Sequence, residues 1–268
     1  MKFLEVENLT ISFGNKVVVN SVSFDLAAGE RLGVIGESGS GKTMIALAVI
    51  GLLPDTATAT GSIRLAGKEL LRLSDQQMSA YRGKQLAMVF QEPLTALNPL
   101  MRVGKQIAQP LLNHDKVSRK AGITRAIELC ASVGLPDPEH IVRAYPHQLS
   151  GGQRQRIGLA IAIACSPKLL IVDEPTTALD VTVQKEVLQT INDLVEQQGS
   201  SLIFISHDLP VVSTMAEDIA VLRNGELVEH ANITALFNNP QHEYSKKLVD
   251  LARATEKEFS DFTKSSTL

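Results

Sequence analysis

Cysteine is scarce in this 268-residue chain, and so are long apolar runs and any excess of positive charge. The two cysteines, Cys130 and Cys165, stand apart, each in an apolar stretch with helical spacing. That excludes a disulfide framework or a cysteine metal cluster and fits a reducing compartment, with both thiols filling core. Lys plus Arg number 26 against 29 Asp plus Glu, a formal net charge of −3, so the basic footprint that drives non-specific nucleic-acid binding is missing. The longest apolar stretches, such as Leu159 to Cys165 and Leu169 to Val172, fall far short of the ~20 residues a membrane-spanning helix needs. Any work at a membrane is therefore expected to use another chain for the span. Met1 to Glu7 carries a charge at every second or third position, so no signal peptide is expected and the mature chain is expected to begin there. There is no internal repeat and no low-complexity linker.

With 44% hydrophobic residues, the chain can bury a sizeable core as one or two domains. From Phe3 to Leu26, β-rich runs broken by Gly14-Asn15 and Ala27-Ala28-Gly29 predict hairpin strands. Leu32 to Ile35 reads as a buried strand. A glycine-rich turn follows, then a helix from about Lys42 to Leu53, stopped at Pro54, and a further strand over Gly61 to Gly67. Between about Glu92 and Cys165 the pattern becomes mostly helical, with prolines 99, 110, 136, 138 and 146 separating the segments. Leu169 to Val172 and Leu202 to Ile205 are four-residue apolar runs suited to a parallel sheet buried on both faces. The helix between them carries Val183, Val187, Ile191, Leu194 and Val195 at helical spacing, with Gly199 placed to cap it. Ser260 to Leu268 is polar and expected to fray.

The sharpest chemical signal is Gly36-Glu37-Ser38-Gly39-Ser40-Gly41-Lys42-Thr43, a P-loop pattern set between a strand and a helix as the pattern requires. Its glycines let backbone N–H groups turn inward around a β-phosphate, and the helix N-terminus adds its dipole. Lys42 can reach β and γ oxygens, and the Thr43 hydroxyl can ligate Mg²⁺. ATP with Mg²⁺ is thus the expected ligand pair. A second signal is the strand Leu169 to Val172 ending in Asp173-Glu174, which offers one carboxylate for the metal and one beside an attacking water. Phosphoryl transfer asks little covalent chemistry of the protein, so positioning and charge neutralisation carry most of the barrier reduction.

A third segment, Leu149-Ser150-Gly151-Gly152-Gln153 followed by Arg154-Gln155-Arg156 and an apolar helix, lies about two dozen residues before the acidic strand end. Ser150 is a good N-cap and the glycines leave amides open, so this helix start is itself an anion site. Together the three segments resemble the ATP-binding subunits of ABC transporters, from Phe3 to about Leu251. The resemblance implies an α/β fold: a P-loop NTPase (RecA-like) core with an N-terminal antiparallel β subdomain and an inserted helical subdomain. It implies one ABC ATPase domain over 1–268, with the core in 1–91 and 166–251, the helical subdomain in 92–165, and a polar tail in 252–268.

Further positions take roles from the resemblance alone. Ser150 and Gly152 would face the nucleotide of a second subunit. Gln91 matches the glutamine that senses Mg²⁺ and joins the core to the helical subdomain; alone it would be a polar strand end. Asp180 matches the loop that communicates across the dimer interface; alone it would be a helix N-cap. His207 matches the switch histidine that holds the γ-phosphate and the attacking water, and Glu174 the residue that activates that water. Phe13, 23 positions before Gly36, falls where the family often carries an aromatic, more commonly tyrosine, that stacks on adenine.

Three stretches narrow the resemblance to the dipeptide, oligopeptide and nickel importers: Phe90 to Pro99, Tyr145-Pro146-His147-Gln148, and Pro240-Gln241-His242-Glu243-Tyr244-Ser245 followed by Leu248. With no cysteine after Cys165, no iron–sulfur cluster is expected, and the ending at Leu268 is similar to the shorter nickel and metal-chelate members. The Gly152-Gln153-Arg154-Gln155-Arg156 run is more similar to peptide importers, so both solute classes stay open. The resemblance implies as partners a second ATPase subunit, related or identical to this chain, two membrane permease subunits and an extracytoplasmic binding protein. It implies a peripheral place on the cytoplasmic face of the inner membrane, and no nucleic acid. The rival reading is a soluble ABC ATPase acting on nucleic acid or the ribosome, against which stand the missing basic footprint and the absence of heptads.

Overall fold

The computed structural model describes residues 2–91, 97–175 and 181–265, with the side chains of 181, 182 and 255–265 left aside. Strands β1 (Lys2–Phe13) and β2 (Lys16–Ala27) form the expected antiparallel hairpin, and β4 (Ala57–Leu65) and β5 (Lys68–Glu69) extend it in the order β2-β1-β4-β5. A second sheet has the order β10-β9-β3-β8-β7-β6. Its members are β3 (Arg31–Ile35), β6 (Leu86–Val89), β7 (Leu169–Asp173), β8 (Ser201–Ser206), β9 (Asp218–Arg223) and β10 (Glu226–Asn232). All neighbours pair in parallel except β10, which returns antiparallel beside β9.

The short apolar runs are explained by burial on both faces of this sheet. Leu169, Ile171, Ile203 and Ile205 point into one core, shared with the N-terminal sheet and with α1 (Lys42–Val49). Leu170, Val172, Leu202 and Phe204 point into the other, covered by helices. Those helices include α3 (Val103–His114), α4 (Arg119–Ser132) and α6 (Gly151–Ile163) of the helical segment, and α7 (Val181–Gln198), whose Val187, Ile191, Leu194 and Val195 are buried at the expected spacing. Short helices α2 (Asp75–Met78) and α5 (Pro138–Ile141) occupy connections. Towards the C-terminus α8 (Leu209–Met215), α9 (Ile233–Asn238) and α10 (Glu243–Ser265) pack together. Burial pushes both thiols, Cys130 and Cys165, up to about 11, which leaves them protonated and inert at neutral pH.

The structure corrects three local expectations. Helix α1 ends at Val49, not near Leu53, because Gly51 takes a left-handed conformation at φ 65°. The amides of Leu52 and Gly51 bond back to the Leu47 and Ala48 carbonyls at 2.8 and 3.1 Å, a Schellman closure that stops the helix before Pro54 is reached. Pro110 does not separate segments but lies inside α3. Its cost, about 3 kcal/mol in an exposed helix, is offset here by burial of Val103, Ile107 and Leu111 on the same helix. Finally, α10 continues to Ser265, through most of the segment expected to be a polar tail.

Candidate active site

The carboxyl ends of four neighbouring strands, β3, β8, β7 and β6, converge on one side of the central sheet, and each delivers a residue singled out in the sequence. Residues 36–41 follow β3, Asp173 closes β7 with Glu174 next, His207 follows β8, and Gln91 follows β6. Such a strand-end crevice is where open α/β sheets bind ligands. A cleft of about 730 Å³ opens there, lined by Gly36 to Gly39, Gly41 to Met44, Gln91, Glu174 and His207, with Lys16 and Val18 of β2 at its edge.

Two of the loop's glycines, Gly36 and Gly41, are required by close approach. A Cβ on Gly36 would sit 2.2 Å from the Leu222 carbonyl oxygen, a backbone atom that cannot rotate aside. Gly41, at φ 100°, is the N-cap of α1 and offers no side-chain cap, so the first-turn amides are left facing the cleft for an anion. The Lys42 ammonium donates to the carbonyls of Gly36 at 2.7 Å and Glu37 at 2.9 Å, folding the loop around its own cation. Burial pushes the Lys42 pKa below the usual lysine value, only partly offset by the Glu174 and Asp173 carboxylates. A phosphate arriving here would relieve that penalty. The Ser40 hydroxyl is buried in the same loop without a hydrogen-bond partner among the described residues.

Asp173 is 1% exposed, and its Oδ2 accepts the Thr43 hydroxyl at 2.8 Å. Burial raises its pKa, the Thr43 hydrogen bond and Lys42 pull it down, and the neighbouring Glu174 adds to the rise. Its Oδ1 is buried with no partner among the described residues. An orphaned carboxylate oxygen beside a threonine hydroxyl is a hard-oxygen pair fit for Mg²⁺, an ion that takes one or two carboxylates and completes its shell with phosphate and water. No group of three or more His, Cys, Asp or Glu that could hold a metal ion occurs among the described residues.

Glu174 is the centre of the remaining contacts. Its Oε2 accepts from Gln91 Nε2 at 3.0 Å, while Oε1 lies 3.4 Å from His207 Nδ1 and 4.0 Å from the Lys42 ammonium. The residue sits at φ 44°, a left-handed conformation that costs a non-glycine residue roughly 1 kcal/mol, and its amide is fixed to the Ile205 carbonyl at 2.9 Å. Strain held in place at a strand end is a mark of functional sites. The arrangement can fix a polyphosphate, hold a divalent cation at one carboxylate and present a second carboxylate to a water.

Other residues singled out in the sequence lie elsewhere. Phe13 ends β1, half-buried, paired across the hairpin with Lys16. Ser150 caps α6, accepting the Gln153 amide at 3.2 Å while the Gln153 side chain accepts the Ser150 amide at 2.9 Å. Neither Ser150 nor Gly152 lines the cleft of its own chain. Asp180 lies outside the described residues, as do Glu92 to Ala96. Sequence reasoning missed two walls of the cleft, Tyr244 and Leu248 of α10. The segment Pro240 to Leu248 had signalled kinship only, and nothing in its spacing ties it to a loop at the other end of the chain.

Comparison with known proteins gives the same frame. The profile described as ABC transporter matches residues 19–177. The oligopeptide transport ATP-binding protein OppD of Bacillus subtilis (strain 168) is 45% identical over 250 residues, covering 91% of this chain and 70% of that protein. The dipeptide transport ATP-binding protein DppD of Lactococcus lactis subsp. cremoris (strain MG1363) is 46% identical over 255 residues, covering 93% and 73%. A solved dimer of the ATP-binding cassette MJ0796 in a post-hydrolysis state, bound to ADP and Pi, superposes with a TM-score of 0.76 at 26% identity, over 86% of this chain and 98% of that one.

Proposed function

This chain belongs to the ABC transporter family, and from that premise we propose that it hydrolyses ATP to drive peptide import through separate membrane permease subunits. The observation that carries the reading is the convergence of Lys42, Gln91 and His207 on the Glu174 carboxylate at the mouth of the P-loop cleft. Peptide is favoured over nickel as the solute because relatives named for oligopeptide and dipeptide transport share 42–46% of their residues with it over most of its length.

In this reading Gly36 to Gly41 wrap the β-phosphate with backbone amides, and Lys42 leaves the Gly36 and Glu37 carbonyls to neutralise the β and γ oxygens. Thr43 and Asp173 hold Mg²⁺, which when bound neutralises charge on the phosphate oxygens. Glu174 accepts the proton of a water as the water oxygen attacks the γ-phosphorus. The bond to the β,γ-bridging oxygen breaks, leaving ADP and phosphate. Gln91 and His207 orient that water and the γ-phosphate through their contacts with Glu174. Phe13, paired with Lys16 of the cleft's edge, is assigned to stack on adenine.

Ser150 and Gly152 lie apart from the cleft of their own chain, which supports a site completed by a second subunit, its α6 N-terminus facing the γ-phosphate. The related cassette is a dimer. Asp180 is assigned to that interface. Residues 1–91 and 166–251 make the catalytic core, and 92–165 transmit closure to the permeases. No helix among the described residues is long and apolar enough to cross a membrane. Its likeness to transport ATP-binding proteins supports a peripheral subunit on the cytoplasmic face, served from outside by a binding protein. Uptake of labelled short peptides and of labelled nickel in a strain lacking this gene tests the assignment. Loss of peptide uptake alone is expected; loss of nickel uptake alone would overturn the solute class.

A further inference from the structure

The cleft has a wall that no phosphate contact explains. Tyr244, on the first turn of α10, is 4% exposed yet lines the P-loop cleft, with Leu248 one turn further on. On one side of its ring the Arg223 guanidinium stands 5.2 Å from the centroid. The hydroxyl is shielded from solvent and makes no hydrogen bond of full geometry among the described residues. Its polar surroundings are the backbone and carboxylate of Glu37, the second residue of the P-loop, and Arg223.

This placement is built. The Glu229 carboxylate of β10 accepts the backbone amides of Gln241 and His242, each at 2.9 Å, fixing the chain where α10 begins. Burial raises the pKa of Glu229, but Ser245 and those two amides outweigh it, and the carboxyl ends below its usual value. His242 Nδ1 in turn accepts the Tyr244 amide at 3.1 Å. Further along α10 the Arg253 side chain donates to the Phe237 carbonyl at 2.6 Å, holding α10 against α9. The same C-terminal unit meets the P-loop twice more, through the Leu222 carbonyl behind Gly36 and through the Gly225 amide, which donates to the Ser40 carbonyl at 3.2 Å.

We propose that Tyr244 is a positioning residue for ATP: pinned by Glu229, it holds the Glu37 end of the P-loop, so that α10 sets the affinity for nucleotide. The reasoning turns on Glu37. Its carbonyl is held by the Lys42 ammonium in the free protein, and that ammonium must leave when phosphate binds. Glu37 then keeps the Ser40 amide on its carbonyl at 3.1 Å and the side chains that pack against it, Tyr244 among them. A phenylalanine would fill the core equally well, and a buried hydroxyl left idle is a cost to the fold, so a tyrosine facing Glu37 has a use there. The inference rests on the ATP-hydrolysing reading above.

The test compares ATP binding and steady-state hydrolysis of the full chain with Tyr244→Ala, Tyr244→Phe and Arg223→Ala. Tyr244→Ala is expected to raise Kd and KM for ATP about tenfold, equivalent to about 1.4 kcal/mol of binding, while kcat stays within about twofold. Tyr244→Phe, which keeps the ring but removes the hydroxyl aimed at Glu37, is expected to weaken ATP binding in the same direction but by less. An unchanged KM in folded Tyr244→Ala, or a fall in kcat without a change in KM, overturns the proposal. Arg223 is exposed and its removal leaves the core intact, so if Tyr244→Ala does not fold, unchanged ATP affinity in both Tyr244→Phe and Arg223→Ala overturns it instead. Failure of the wild-type chain to bind ATP would sink the enzymatic reading itself, whereas wild-type binding with indifferent variants sinks only the role of Tyr244.

Discussion

The Thr43 hydroxyl donates to Asp173 Oδ2 across 2.8 Å, joining residues 130 positions apart in the chain. One belongs to the start of α1 and the other to the end of β7, strands β3 and β7 being separated in the sheet only by β8. Parallel order explains the meeting: every strand that enters from the same side ends at the same crevice, so residues far apart in sequence share one site. The pair also fixes where a cation could sit, because Asp173 Oδ1 is left over once Oδ2 is engaged.

Asp173→Asn should separate stability from activity. The carboxylate is nearly fully buried and its pKa is raised, chiefly by burial, so its charged form is a burden on the folded state at neutral pH. The sign follows: protonation relieves the burden as pH falls through the raised pKa, and the burden returns as pH rises through it. The amide variant, in thermal melts of the nucleotide-free protein, should be at least as stable as wild type at neutral pH, with the difference shrinking in acid. Its Mg²⁺-dependent ATPase should fall by at least about 100-fold. A variant that melts lower than wild type at neutral pH would contradict the electrostatic account.

Glu174→Gln keeps the side-chain shape and an acceptor for Gln91 Nε2 at 3.0 Å while removing the proton acceptor. Phosphate release should drop at least about 1,000-fold, within the range general-base loss commonly produces, with ATP binding by calorimetry essentially retained. Most of the wild-type turnover surviving in this variant would remove Glu174 from the base role.

The architecture was legible where local rules and burial agree. The P-loop pattern needs a strand before it and a helix after it, and β3 and α1 supply both. Four-residue apolar runs became strands because both sheet faces are covered. The sequence was less readable where tertiary packing decides. Pro110 looked like a boundary, yet buried neighbours carry α3 through it. Pro54 looked like the stop of α1, yet a Schellman closure at Gly51 acts first. The strained backbone of Glu174 and the arrival of Tyr244 at the cleft have no local signature, since each depends on contacts made only after the sheet and α10 assemble.

Gly36→Ala and Gly39→Ala should differ, although both sit in the same loop. At Gly36 a Cβ meets the Leu222 carbonyl oxygen at 2.2 Å, so the loop or β9 must shift, at about 3 kcal/mol or more. At Gly39 a Cβ has nothing within 4 Å, and only the left-handed backbone at φ 81° is penalised, by about 1–2 kcal/mol. Urea unfolding of the two variants checks the order, and equal losses would mean that the approach to Leu222 is not what fixes the glycine.

ATP binding should take up protons at alkaline pH. In the free protein the Lys42 ammonium is desolvated, and its pKa lies below the usual 10.5 despite the nearby Glu174 and Asp173. On the proposed reading, phosphate oxygens replace the Gly36 and Glu37 carbonyls as its partners; their negative charge would favour the protonated form, so binding would raise the pKa again. Between the two values a fraction of free chains carries neutral lysine and must gain a proton when ATP binds. Calorimetric titration in two buffers of different ionisation enthalpy, at a pH below 10.5 but within the lowered titration, measures that uptake directly. Lys42→Arg keeps the charge but does not titrate, so any residual ATP binding should proceed without uptake. Uptake that persists in the arginine variant would assign the proton to another group, and no uptake in wild type would mean that the phosphates do not replace the carbonyls at Lys42.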